Sequence, residues 1–188
     1  EFGLQCMPRV WGTPGPSLFI SSTNNGYNYD SPNGGFHYNT RPGSGFVQTN
    51  PDWGLGMDVS PLGLLGGPQF YLGMGAQLED GRWWIYIGGG TPDDSVGYWP
   101  ASWWTADGAP NGAAMAQGAG RADWGAETSS NALADGRMHY PAMGHGADAR
   151  NLFRRGGYIR NMIYYGADGV TRGVPATVSV AKFADLQP

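Results

Sequence analysis

Glutamate is nearly missing from this 188-residue chain, which carries only Glu1, Glu79 and Glu127 beside twelve aspartates. Lysine is scarcer still, with Lys182 alone against ten arginines, and the formal net charge is −4. That balance offers no basic stripe for a phosphate backbone, so nucleic acid is not an expected partner. Cys6 is the single cysteine, which rules out an internal disulfide and leaves the redox compartment unreadable. It alternates with Phe2 and Leu4, so a buried packing role is expected for it rather than a nucleophilic one. No apolar run approaches the roughly 20 residues that span a bilayer, and no signal peptide stands at Glu1. A soluble chain without a membrane partner is expected, as a mature or truncated product.

What is present is glycine, proline and aromatic residues: 33 glycines, 14 prolines and 13% Phe, Trp and Tyr, against only 14% charged residues. Such a composition suits a turn-rich β protein. The length suits one domain over residues 1–188, with no linker or composition break. Period-two alternation dominates. Phe70, Leu72, Met74, Ala76 and Leu78 form one apolar face, the Glu79-Asp80-Gly81 turn follows, and Arg82 to Ile87 returns as the second half of a hairpin. Further strands are expected at Phe2 to Met7, Ser17 to Ser21, Gly34 to Tyr38, Gly45 to Thr49 and Gly56 to Ser60. Others are expected at Ala113 to Gln117, Ala122 to Ser129, Gly157 to Tyr165 and Ala176 to Phe183. So many strands predict an all-β, antiparallel two-sheet sandwich of jelly-roll type. A helical turn is expected over Ala101 to Thr105, with Pro100 at its first position, and a long surface excursion over Asp107 to Gly120.

The rare glutamates divide. Glu79 sits in a turn, where a carboxylate faces water. Glu1 and Glu127 lie in extended segments with glycine and aromatic neighbours, a setting suited to acid/base chemistry. Alternation puts Glu1, Gly3 and Gln5 on the face opposite Phe2, Leu4 and Cys6, and Asp123, Gly125, Glu127 and Ser129 opposite Trp124, Ala126 and Thr128. Glycines among the polar positions leave room for a ligand backbone to approach. A concave sheet face bearing two carboxylates is the expected cleft.

Other chemistries fit less well. His139, His145 and Asp148 share a loop-rich stretch, but their spacing matches no recognised ligand pattern, so no metal site and no cofactor are expected. No Gly-x-Ser-x-Gly elbow is present, and Gly88-Gly89-Gly90 lacks the Lys-Ser/Thr of a phosphate loop and reads as a hairpin connection.

Several landmarks occur in a fixed order: Glu1-Phe2-Gly3-Leu4-Gln5, Gly45-Phe46-Val47-Gln48, Arg82-Trp83-Trp84, Gly97-Tyr98-Trp99-Pro100, Asp123-Trp124-Gly125-Ala126-Glu127, Met143-Gly144-His145-Gly146 and Gly157-Tyr158-Ile159-Arg160-Asn161. In that order they resemble the neprosin catalytic domain over nearly the whole chain. The resemblance implies a secreted glutamic peptidase on an antiparallel β-sandwich, cutting protein or peptide substrates after proline with a pair of glutamates. Glu1 matches the first of that pair, in the family's Glu-x-Gly-x-Gln segment, and Glu127 the second, in its Trp-Gly-x-Glu segment. Family members carry an activation segment and at least one further strand upstream of the first glutamate, so residues 1–188 are expected to lack both.

Two carboxyl groups in one site cannot both ionise cheaply, so the pair holds one proton at acidic pH. One member takes a proton from the attacking water while the other donates to the oxyanion or the leaving nitrogen. The sequence leaves open which does which. Gln5, Gln48 and Tyr98 are candidate oxyanion donors, and Tyr98, Trp99 and Trp124 candidate walls for a pyrrolidine ring. Trp83 and Trp84 point to opposite faces, so at most one lines the cleft. Two rival classes remain: a non-catalytic binding or structural sandwich, and a carbohydrate-active jelly roll.

Overall fold

A computed structural model of the chain describes residues 1–8, 12, 15–24, 37–39, 43–64, 66–88, 91–105, 115–125 and 159–175. It divides into two compact units, Glu1–Gly120 and Arg121–Pro188. The first unit holds two antiparallel sheets. One has the order β1-β2-β3, built from β1 (Phe2–Gln5), β2 (Ser17–Ser22) and β3 (His37–Tyr38). The other has the order β4-β7-β6-β5, from β4 (Val47–Gln48), β5 (Met74–Glu79), β6 (Arg82–Ile87) and β7 (Ser95–Pro100). In the second unit β8 (Tyr164–Tyr165) pairs with β9 (Arg172–Gly173). The expected all-β, antiparallel class holds.

Local chemistry explains most of these elements. In the β5–β6 hairpin Glu79 pairs with Arg82, and the two residues between them, Asp80 and Gly81, have φ of 47° and 70°. Positive φ at both central positions is the type I′ geometry that matches strand twist, and Asp-Gly is the dipeptide that tolerates it. Beyond β6, Asp94 Oδ2 accepts from Thr91 N at 3.0 Å and Thr91 Oγ1 at 2.8 Å, closing a 3-10 turn at Pro92–Asp94 that sends the chain back as β7.

Strand β7 has no counterpart among the expected strands. It contains Gly97, which has low strand propensity, yet a Cβ there would collide with the Val47 carbonyl oxygen and stand 2.8 Å from Phe46 Cε1. The close approach of β4 requires the glycine. Pro100 is the last residue of β7, opposite Arg82, and caps helix α1 (Ala101–Trp104) at φ −70° and ψ 152°. It therefore precedes the first helical position expected of it, its ring angle serving the strand end as well as the helix entry.

The core draws on both sheets of the first unit. Leu18 and Ile20 of β2 join Phe46, Ile85, Ile87, Val96, Trp99 and Trp104 in one buried cluster, with Phe2, Met74 and Trp83 packed against it. Each fully buried aliphatic side chain contributes about 1.5–3 kcal/mol. Phe46 and Trp99 meet edge to face at 4.8 Å, and Trp99 meets Trp104 at 5.9 Å.

Several expectations need correction. Cys6 is exposed rather than in the core, because the ladder ends where Gln5 meets Ser17, the first residue of β2, and Cys6 has no strand beside it. Phe70 is also exposed, since β5 begins only at Met74. Gly56 to Ser60 contributes a single bridge, Asp58 to Ser17. Met115 to Gln117 form a turn rather than a strand, and Ala122 to Gly125 are exposed and unpaired as a strand. From Ile159 to Tyr165 the chain forms a strand only at Tyr164–Tyr165, and Gly157 and Tyr158 lie outside the described residues. The remainder of the Ala122–Ser129 segment, Gly34 to Phe36 and Ala176 to Phe183 lie outside the described residues.

Candidate functional site

Glu1 continues the β1–β2 ladder by one pair. Its nitrogen donates to the Ser21 carbonyl at 2.8 Å, and Ser21 N donates to the Glu1 carbonyl at 2.8 Å. Exchange of both bonds makes Glu1 and Ser21 a hydrogen-bonded antiparallel pair, whose side chains emerge on the same face. There Ser21 Oγ donates to Glu1 Oε2 at 3.0 Å. Glu1 Oε1 carries no hydrogen bond among the described residues, and Glu1 as a whole is exposed while Ser21 is 1% exposed. The carboxylate is thus held from beneath and open above.

The register fixes what surrounds it. Gly3 faces Phe19 and Gln5 faces Ser17, so the Glu1 face comprises Glu1, Gly3 and Gln5 on β1 with Ser17, Phe19 and Ser21 on β2. The alternating residues Leu18 and Ile20 enter the core. A Cβ at Gly3 would stand 3.3 Å from Phe19 Cε1, so the ring leans over the glycine, and it stacks on Tyr38 of β3 at 5.8 Å and 12°. Gln5 Oε1 is buried with no hydrogen-bond partner among the described residues. A buried acceptor left open on this face is a polar group for a ligand or water to satisfy. The site thus offers a carboxylate, an amide and a flat aromatic pair.

Other expected site residues lie elsewhere. Gln48 accepts from Leu55 N at 3.2 Å and donates to the Asn50 carbonyl at 3.2 Å, so both ends of its amide pin the loop beyond β4. Trp99 is 5% exposed in the core, its indole N–H donated to the Ser44 carbonyl at 3.1 Å. Tyr98, one residue earlier, emerges on the face of the four-stranded sheet opposite that core. It stands 4.7 Å from Trp84, with the Arg82 guanidinium 5.0 Å above its ring. Alternation keeps Tyr98 and Trp99 from lining one surface. It likewise separates Trp83, which packs on the core, from Trp84. Trp124 is 37% exposed in the second unit, close to an Arg121–Asp123 ion pair at 2.7 Å. Glu127 lies outside the described residues.

Of the expected set, then, Glu1 and Gln5 come together on one face of the β1–β2 ladder, while Gln48, Tyr98 and Trp99 belong to the four-stranded sheet. Sequence reasoning missed Ser21, Phe19 and Tyr38. A signal for Ser21 was present: Ser17 and Ser21 alternate against Leu18 and Ile20, which puts both serines on the polar side of a strand.

A polar hollow of about 410 Å³ lies between Thr49, Asn50, Pro51, Asp52, Asp93 and Ser95. Among the described residues no group of three or more His, Cys, Asp or Glu is placed to hold a metal ion. No helix among them is long and apolar enough to cross a membrane.

A family model described as Neprosin matches residues 1–187, essentially the whole chain. No curated protein and no solved structure matches.

Proposed function

The chain belongs to the neprosin family, a family of peptidases, and from that premise we propose that it is a glutamic endopeptidase using Glu1 and Glu127. The peptidase reading extends to a preference for cutting after proline, an acidic optimum and a secreted location. It needs no metal or organic cofactor, because the nucleophile is water activated by a carboxylate.

The observation that carries the reading is the Glu1 carboxylate. It lies on the polar face of β1–β2 with Oε2 fastened to Ser21 and Oε1 open, on the same face as the Gln5 amide. The role of Glu127 rests on its place in Trp124-Gly125-Ala126-Glu127. One carboxylate abstracts a proton from water as the oxygen attacks the scissile carbonyl carbon. The other carboxyl protonates the departing nitrogen. Phe19 and Tyr38, stacked beside Glu1, supply a flat apolar wall of the kind a pyrrolidine ring packs against.

Denatured casein incubated at acidic and at neutral pH, with cleavage sites mapped by mass spectrometry, tests the reading. Cleavage at acidic pH on the carboxyl side of proline is expected. Glu1→Gln and Glu127→Gln should each lower the rate by about a hundredfold or more. Full activity in either variant would overturn the pair.

A second reading draws on the other sheet. Trp84, Tyr98 and Arg82 form an aromatic and cationic strip facing away from the core, a surface that suits the face of a sugar ring. Hydrolysis or binding of β-glucans without cleavage of casein would replace the peptidase reading with a carbohydrate one.

A further inference from the structure

On the face of the four-stranded sheet turned away from the core, register lines up side chains from all four strands. Gln77 pairs with Trp84, Trp84 with Tyr98 and Tyr98 with Val47, so these four stand in one row across the sheet. Three strand spacings make the row about 14 Å long. Trp84 meets Tyr98 at 4.7 Å and 49°, and Tyr86 at 6.4 Å and 34°, so the rings are tilted and the strip is notched rather than flat. Gly75, opposite Tyr86, leaves that flank bare, since a Cβ there would meet nothing within 4 Å. Neither the Trp84 indole N–H nor the Tyr98 hydroxyl makes a hydrogen bond among the described residues. Apolar notches thus lie beside unused donors.

The polar hollow of about 410 Å³ adjoins this strip. Thr49, two residues beyond Val47, and Ser95, opposite Tyr86, line it together with Asp52 and Asp93. Thr49 still belongs to the sheet through its N–H, donated to the Val96 carbonyl at 3.0 Å. Neither the Asp52 nor the Asp93 carboxylate has a hydrogen-bond or ion-pair partner among the described residues. The hollow therefore presents uncompensated negative charge at the side of an aromatic row.

We propose that this face is a docking site for an extended, proline-rich peptide segment bearing a basic side chain, on a different sheet from Glu1. A polyproline II segment has no internal hydrogen bonds, so its carbonyls are free to accept from Trp84 and Tyr98, and its pyrrolidine rings fit the notches between tilted aromatic rings. At roughly 3.1 Å per residue, about five residues cover the row. An arginine or lysine beyond the last proline enters the hollow, where Asp52 and Asp93 supply the opposite charge. A neutral glycan would use the rings and leave both carboxylates idle. Docking needs no cleavage, so it stands or falls separately from the peptidase reading.

A fluorescein-labelled peptide of two Ala-Pro-Pro units followed by arginine tests the site by fluorescence polarisation, beside a counterpart ending in glutamine. The Glu1→Gln background at neutral pH lets binding be read without cutting. The arginine peptide should bind saturably and more tightly than the glutamine peptide. Trp84→Ala should weaken it about tenfold or more. Asp52→Asn combined with Asp93→Asn should weaken it about threefold or more and leave the glutamine peptide unchanged, and added salt should act in the same direction. Should Trp84→Ala fail to fold by circular dichroism, the paired aspartate variant decides. No saturable binding, or equal affinity for the two peptides, would overturn the proposal. So would binding of a β-glucan oligosaccharide in place of the peptides, or a dimer in sedimentation that Trp84→Ala dissociates. Casein cleavage by the parent alongside any of these leaves the peptidase reading standing.

Discussion

Trp99 of β7 donates its indole N–H to the main-chain carbonyl of Ser44, 55 positions earlier, over 3.1 Å. The bond ties the segment leading into β4 to the strand beside it, inside a cluster where Trp99 also meets Phe46 at 4.8 Å. A tryptophan in a recognised catalytic family invites a substrate role, but the indole is spent on the fold. Trp99→Phe keeps most of the apolar volume and orphans a buried carbonyl. A stability loss of about 1–3 kcal/mol is expected by urea denaturation, and an unchanged midpoint would show the bond to be immaterial.

Gly97 makes the more severe prediction. Its missing Cβ leaves room for the Val47 carbonyl and the Phe46 ring. Gly97→Ala should separate β4 from β7 or shift the ring, costing about 1–3 kcal/mol as overpacking does. A fall in thermal midpoint is the check.

The phenol of Tyr86 titrates above its ordinary value, chiefly through burial, then through the charge of Glu79 and the hydrogen bond to its Oε2 at 3.4 Å. A folded-state value raised above the unfolded one adds stability that is fully present below the ordinary phenol range and is lost as pH climbs through the folded value. Ultraviolet titration of the parent against Tyr86→Phe should show the Tyr86 phenol titrating late. Glu79→Gln should move it part of the way back, leaving the displacement due to burial.

The β8–β9 hairpin responds at the other end of the scale. Asp168 is held below the usual carboxylate range, first by the Thr171 hydroxyl and then by the main-chain N–H groups of Thr171 at 2.8 Å and Val170 at 3.0 Å. A depressed folded-state value contributes order that is present above the ordinary carboxylate value and disappears as pH falls through the folded one. The protection of the Val170 and Thr171 amides, measured against the intrinsic exchange rate at each pH, should fall in acid, and Asp168→Ala should show that low protection at every pH.

What the sequence revealed follows the range of the physics. The β5–β6 hairpin was legible because Asp80-Gly81 and the flanking alternation are local signals. The face shared by Glu1 and Gln5 was legible for the same reason, since it needs only period two. Strand β7 was not, because Gly97 and Pro100 weaken strand propensity and only Val47 and Arg82, distant in sequence, explain them. Ser21 escaped as well: that it lies opposite Glu1 depends on the register between β1 and β2, which no window of neighbours contains. The alternation at Ala122 to Gly125 misled, because a polar-apolar rhythm without a strand partner does not make a strand.

Both edges of β2 are occupied. On one side lie Glu1 and β1; on the other, Leu18 exchanges hydrogen bonds with Met57 at 3.1 Å and Gly56 at 2.7 Å, Ile20 engages Asn39, and β3 follows. An extended polypeptide crossing the Glu1 face therefore finds no vacant main-chain groups on β2 with which to join the sheet as a new strand. Selectivity over that face falls to side chains standing up from the sheet, which makes it a property of a few substitutable residues rather than of the backbone.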